Sequence, residues 1–61
     1  MSNQPCFCGF LSLEDALQHR ATSGGWVFEG EAGQVIWFAH TFRPTSIFTH
    51  YALTGMSGRL V

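Results

Sequence analysis

The stretch 26–40 constrains the fold of this chain more than any other, because it has the pattern of a β-hairpin. Two runs rich in β-branched and aromatic residues, 26–29 and 34–40, are separated by a short loop with glycines at positions 30 and 33. Residues of these types favour strands, and short glycine-containing loops connect antiparallel strands. We therefore predict an antiparallel hairpin over these residues.

Both faces of this hairpin are apolar. Side chains alternate between the two faces along a strand. The first strand divides into Trp26 and Phe28 on one face and Val27 and Glu29 on the other. The second strand divides into Val35, Trp37 and Ala39 on one face and Ile36, Phe38 and His40 on the other. Because a two-stranded ribbon is marginally stable in water, each face needs a cover.

A helix is predicted over residues 12–21, before the hairpin. Ser12 is a favourable N-cap residue, and Glu14 and Asp15 fall in the first turn, where the helix dipole favours negative charge. Leu11 is placed to pack against Ala16 as a hydrophobic staple. The glycine pair at positions 24 and 25 suits a left-handed C-terminal cap. We expect this helix to cover one face of the hairpin.

A second helix is predicted after the hairpin. Pro44 is tolerated in a first helical turn, and Thr45 or Ser46 can supply the N-cap. Glycine at position 55 is expected to end the helix. An apolar stripe at helical spacing consists of Ile47, Phe48, Tyr51 and Ala52. Residues 57–61 are expected either to join the sheet edge as a short strand or to form a tail.

These elements predict a small single α+β domain in the order helix, β-hairpin, helix. Residues 1–11 are expected to form a polar amino-terminal arm, and residues 12–61 the compact domain. One helix is expected to pack on one face of the hairpin. We expect another, identical subunit to cover the other face, because two-fold dimers are the commonest closed assemblies of identical chains.

The aromatic content supports the expectation of a second subunit. The chain has six phenylalanines, two tryptophans and one tyrosine, but charged residues make up only 11% of it. A domain of this size buries only about 60% of its unfolded surface, so one small core is not expected to hide every ring. The composition therefore predicts a homo-oligomer, with a dimer favoured.

Charge and hydropathy exclude several classes of function. Three arginines, no lysine and a net charge of -1 provide no basic stripe for a phosphate backbone, so nucleic acid is not an expected partner. The longest apolar run, 35–39, is far shorter than the roughly 20 residues of a membrane helix. The first residues lack the basic start and apolar stretch of a secretion signal, so we expect a cytoplasmic location.

The closely spaced cysteines Cys6 and Cys8 are the most chemically distinctive feature. With Gly9 behind them they resemble half of a zinc site that His40 and His50 could complete, so a small zinc-stabilised domain is one alternative function. The one-residue gap between the cysteines is tighter than usual, and the histidines fall on different predicted elements. We therefore favour no metal site and expect no cofactor.

No enzymatic activity is expected, because a chain of this length seldom builds both a core and a ligand pocket of roughly 300 to 1,000 Å³. A pocket between two subunits could hold a small anionic ligand near Arg43 or Arg20, which is a second alternative function.

The favoured interpretation is a small non-enzymatic protein-binding or regulatory module. We expect it to act as an oligomer and to block a larger cytoplasmic protein, as small accessory proteins of phages and mobile elements often do. The residues expected at the protein interface are Trp26, Phe28, Glu29, Glu31, Trp37, Phe38 and Arg43.

Overall fold

The predicted hairpin lies at the centre of a four-stranded antiparallel sheet. The computed structural model describes residues 7–61. Along the chain these form β1 (Phe7–Gly9), α1 (Leu13–Ser23), β2 (Trp26–Gly30), β3 (Val35–Phe38), α2 (Pro44–Thr54) and β4 (Gly58–Leu60). The central strands are β3 and β2, and the edge strands are β1 beside β3 and β4 beside β2. The described chain is therefore a small α+β structure, as predicted.

The register of the hairpin confirms the predicted alternation of side chains. Trp26 lies opposite Phe38, and Val27 lies opposite Trp37. Residues directly opposite each other in paired strands project from the same face of a sheet. One face of the hairpin therefore carries Trp26, Phe28, Ile36 and Phe38, and the other carries Val27, Glu29, Val35 and Trp37.

The helix α1 forms where it was predicted and ends two residues later. The Ser12 hydroxyl accepts a hydrogen bond from the Asp15 N–H at 3.2 Å, which confirms Ser12 as the N-cap. At the other end, the N–H of the C-cap residue Gly24 donates to the Arg20 carbonyl at 2.8 Å. The predicted hydrophobic staple is wrong, because the Leu11 side chain is fully exposed and cannot pack against Ala16.

The helix α2 begins at Pro44, but its capping differs from the prediction. Arg43 occupies the N-cap position and makes no side-chain capping hydrogen bond. Thr45 and Ser46 are not caps, because both already lie inside the first turn of the helix. Gly55 ends the helix in the left-handed conformation, with φ of 82°.

This second helix covers the face of the sheet for which we expected another subunit. Ile47 and Tyr51 project from α2 and are buried against Phe28 and Phe38. The Tyr51 ring stacks on Phe28 with centroids 4.9 Å apart, and it meets Phe38 edge-on at 5.8 Å. The expectation of an intersubunit seal on this face is therefore corrected, because the same chain supplies the cover.

The opposite face is covered by α1. Ala16 of the helix and Val27 of β2 are both completely buried. The Trp37 indole N–H donates to the Gly24 carbonyl at 2.7 Å, and the His19 ring meets Trp37 edge-on with centroids 4.3 Å apart. Both faces of the sheet therefore have a helix from the same chain.

The two edge strands change the interpretation of the segments that flank the predicted core. Cys8 of β1 lies opposite Trp37, so part of the expected arm 1–11 belongs to the sheet. Arg59 of β4 lies opposite Glu29, which decides the alternatives for 57–61 in favour of a strand. Within residues 7–61, neither helix has the length and apolar character that crossing a membrane requires.

Candidate protein-binding surface

The aromatic residues predicted to bind a partner lie on both faces of the sheet, and two of them are buried in the core. Phe28 and Phe38 are each only 1% exposed, so they anchor α2 to the sheet and have almost no surface to offer a partner. Trp26 is half-buried and packs against the same core. Trp37 is half-buried on the opposite face, beneath α1. The two tryptophans therefore cannot belong to one flat interface.

The charged residues predicted at the interface lie on or near the surface. Glu29 forms an ion pair with Arg59, with the nitrogen and oxygen 3.6 Å apart and the arginine side chain 79% exposed. Such an exposed pair contributes little to stability. Glu31 is exposed in the β2–β3 turn, and its N–H donates to the Ser57 carbonyl at 2.8 Å. Arg43 is exposed immediately before α2.

A different apolar surface lies on the outside of α2. Phe48 is 41% exposed, with its ring centroid 6.1 Å from that of Phe28, and Leu53 is 84% exposed. Every residue of α2 except Ile47 and Tyr51 is exposed, and the helix contains no aspartate, glutamate, lysine or arginine. An exposed helix of this length with no charge is unusual, because the outer faces of helices normally carry charged or polar residues.

A further exposed aromatic residue, Phe7 of β1, lies beside the helix at His50. The Phe7 ring is 47% exposed and lies 6.4 Å from the His50 ring of α2, measured between centroids. Its buried side contacts the rings of Phe38 and Phe42, at 5.7 and 6.4 Å. We call the group formed by Phe7, Phe48, His50 and Leu53 the α2 surface.

Two sequence signals could have identified the α2 surface. The absence of charge from residue 44 to residue 54 was one. The other was Leu53, which falls outside the predicted stripe of Ile47, Phe48, Tyr51 and Ala52. Of that stripe only Ile47 and Tyr51 are buried, so the expectation that Phe48 and Ala52 pack inwards is corrected. Phe7 gave no such signal, because a three-residue strand has too few positions to show a period.

The residues considered for a metal site are not brought together in the part of the chain that the structure describes. Cys8 is exposed in β1, His40 is exposed between β3 and α2, and His50 is exposed on α2. Cys6 lies outside the described residues. Residues 7–61 contain no group of three histidine, cysteine, aspartate or glutamate side chains that could hold a metal ion.

The arginines considered for an anion pocket lie apart from the cavities found beside the β2–β3 turn. One cavity of about 220 Å³ is lined by Glu31, Ala32, Gln34, Gly55, Met56 and Ser57. A second of about 160 Å³ is lined by Glu29, Gly30, Glu31, Gly58 and Arg59. The Arg20 guanidinium instead donates to the main-chain oxygen of Val61. Both cavities are smaller than the roughly 300 Å³ at which ligand pockets usually begin.

The chain matches no protein-family model, and comparisons with curated proteins and with solved structures find no significant match for it. Its function is therefore inferred from its own residues.

Proposed function

We propose that this chain is a small non-enzymatic protein-binding module that acts as an oligomer and docks on a larger cytoplasmic protein through the α2 surface. The observation that carries the proposal is α2 itself. This helix buries Ile47 and Tyr51 and still exposes Phe48 and Leu53, with no charged residue along its length.

The composition of the α2 surface supports protein as the partner. The buried centres of protein interfaces are depleted of charged residues and enriched in aromatic ones. Two phenylalanine rings and a leucine on an uncharged background fit that description. Removing such a surface from water costs little desolvation of polar groups and gains about 25 cal/mol for each Å² of apolar area.

The form of the α2 surface favours docking over catalysis. Phe48 and Leu53 lie on the convex outside of a helix, where a small substrate would not be enclosed. Arg43 stands exposed at the start of the same helix and would provide a charged contact at the rim. Docking of this kind regulates a partner by covering part of its surface, and we propose that the module blocks its partner in this way.

The test compares the same substitution at two exposed leucines, one on the α2 surface and one outside it. Leu53→Glu places a charge on the α2 surface, and Leu11→Glu places the same charge in the β1–α1 connection, where Leu11 is fully exposed. The unmodified chain, immobilised, would be used to capture a partner from cytoplasmic extract, and the affinity for the purified partner would then be measured for each variant. We expect Leu53→Glu to weaken binding at least about tenfold and Leu11→Glu to leave it unchanged.

The proposal fails if one purified partner binds both variants as tightly as the unmodified chain. It fails equally if no protein is captured in an amount that depends on residue 53. Far-ultraviolet circular dichroism of both variants would show that the fold is retained, as expected for substitutions at exposed positions.

A further inference from the structure

No strand within residues 7–61 pairs with the outer edge of β1. All three of its residues are exposed, whereas β4 at the other edge of the sheet is partly covered at Gly58 and Leu60. The Phe10 N–H donates to the Val35 carbonyl at 2.8 Å, just beyond the β1–β3 pairing. Hydrogen-bonded and non-hydrogen-bonded pairs alternate along antiparallel strands. The main-chain N–H and C=O groups of Cys8 are therefore hydrogen-bonded to β3, whereas those of Phe7 and Gly9 point away from the sheet.

We propose that β1 pairs with β1 of a second copy of this chain, antiparallel and about a two-fold axis at Cys8. Phe7 of each copy then lies opposite Gly9 of the other. The two residues of each pair donate their N–H groups to each other's C=O groups. The two sheets join into one continuous sheet. This inference rests on the oligomer in the proposed function and specifies which surface forms it.

The charges of the two edges favour β1 over β4 as the strand that meets its own copy. The residues of β1 are uncharged, so antiparallel self-pairing brings no like charges together. The equivalent pairing of β4 would place Arg59 opposite Arg59 of the second copy, and like charges directly opposite each other destabilise a sheet. Exposed strand edges normally carry charges that discourage such pairing, and β1 has none.

The side chains of β1 also complement themselves. Phe7 and Gly9 point to the α2 side of the sheet, where Phe7 is half-exposed. In the proposed pairing the Phe7 ring covers the bare backbone of Gly9 in the second copy, a combination known to stabilise strand glycines. Symmetric pairing of this kind closes on itself, so it forms a dimer and not an open chain of copies.

The proposed register places the two Cys8 residues opposite each other in a non-hydrogen-bonded pair. The Cα atoms of such a pair are about 4.5 Å apart, and disulfides span Cα distances of about 4.4 to 6.8 Å. A symmetric Cys8 cross-link is therefore a direct measurement of the register. In the cross-linking test, the oxidant diamide removes one hydrogen from each of the two thiols and is itself reduced to the hydrazine.

The cross-linking experiment uses Cys6→Ser, which leaves Cys8 as the single thiol of the chain. Its control carries Cys6→Ser, Cys8→Ser and Ser23→Cys, because Ser23 is exposed at the end of α1 and is not part of the β1 edge. With diamide, we expect the Cys8 chain to form a covalent dimer at least about ten times faster than the control. Equal rates would mean cross-linking by random collision and would overturn the proposed register.

A second experiment measures the dimer without any disulfide. The unmodified chain, Cys8→Glu and Leu11→Glu are compared by light scattering in the presence of a reductant. We expect the mass of a dimer for the unmodified chain and for Leu11→Glu, and the mass of a monomer for Cys8→Glu, which would place two carboxylates opposite each other.

The outcomes separate this inference from the proposed function. A dimer that survives Cys8→Glu overturns pairing through β1 and leaves the proposed oligomer in place. An unmodified chain that is a monomer at all concentrations overturns both the pairing and the oligomer. Docking through the α2 surface is judged separately, by the affinity of Leu53→Glu for the partner.

Discussion

Tyr51 is the single tyrosine of the chain, and its phenol serves as a probe of the core. The residue is 6% exposed between Phe28 and Phe38. Burial raises the pKa of the Tyr51 phenol above its ordinary value of 10.0, because the charged phenolate is poorly solvated there. Below pH 10 the phenol is neutral in both the folded and the unfolded chain. Above pH 10 the unfolded chain loses this proton first.

The free energy of unfolding is therefore expected to fall as the pH rises above about 10, through the interval between the unfolded and the folded pKa of Tyr51. Urea unfolding at several alkaline pH values, combined with tyrosinate absorbance, would measure both quantities. Tyr51→Phe is the control, since it keeps the ring and removes the titrating group. If this variant showed the same alkaline loss of stability as the unmodified chain, a group other than Tyr51 would have to cause the loss.

Gly58 shows a residue requirement that only the packed structure reveals. A Cβ atom at this position would collide with the Glu29 carbonyl oxygen and lie 2.5 Å from the Phe28 ring. At Gly9, on the other edge strand, a Cβ would meet nothing within 4 Å. The two glycines look alike in the sequence, because the closeness at Gly58 arises from a β2–β4 contact between residues far apart along the chain.

The two helices begin in opposite ways, and this difference leads to a matched prediction. α1 has a side-chain cap in Ser12, whereas Arg43 at the start of α2 supplies none, although its backbone is extended as an N-cap requires. We expect Ser12→Ala to lower the free energy of unfolding by about 1 kcal/mol. We expect Arg43→Ser to raise it by about 0.5 to 1 kcal/mol, because the new hydroxyl can accept a free N–H of the first turn.

Chemical denaturation of both variants would measure these changes. Ser46→Ala is the control, since Ser46 is exposed within the first turn of α2 and is not the cap. An Arg43→Ser chain less stable than the unmodified one would show that the arginine makes a contact worth more than a cap.

The short edge strands mark the limit of sequence reasoning about elements. The hairpin and α1 carry long local patterns, so their positions follow from residues that are neighbours in the chain. β1 and β4 have three residues each. They are strands only because β3 and β2 provide hydrogen-bonding partners for them, and these partners are in place only in the assembled sheet.

The molecule as a whole is a sheet held between two helices, and its two tryptophans report on different sides of it. Trp26 lies on the α2 side, and Trp37 lies on the α1 side. Small single domains usually unfold in one cooperative step. In the Trp37→Phe variant, we therefore expect the urea midpoint measured by Trp26 fluorescence to equal the midpoint measured by far-ultraviolet circular dichroism. The same agreement is expected for Trp26→Phe, observed through Trp37.

Each variant is compared only with itself, because Trp37→Phe also loses the 2.7 Å hydrogen bond to Gly24. A fluorescence midpoint that differs from the circular dichroism midpoint in either variant would mean that one helix detaches before the sheet unfolds. The two faces would then be separate units of stability.

Local chemistry was sufficient to predict the α+β class, the hairpin, its alternation and the capped start of α1, because each depends on residues close together in the chain. Local sequence patterns were not sufficient to predict what covers the second face of the sheet, because that depends on where the folded chain places α2 after Arg43. The aromatic excess suggested another subunit, yet Phe28 and Phe38 are buried by Ile47 and Tyr51 of the same chain. The exposure of Phe7 and Phe48 could be recognised only once the assembled core had shown which apolar side chains it leaves outside.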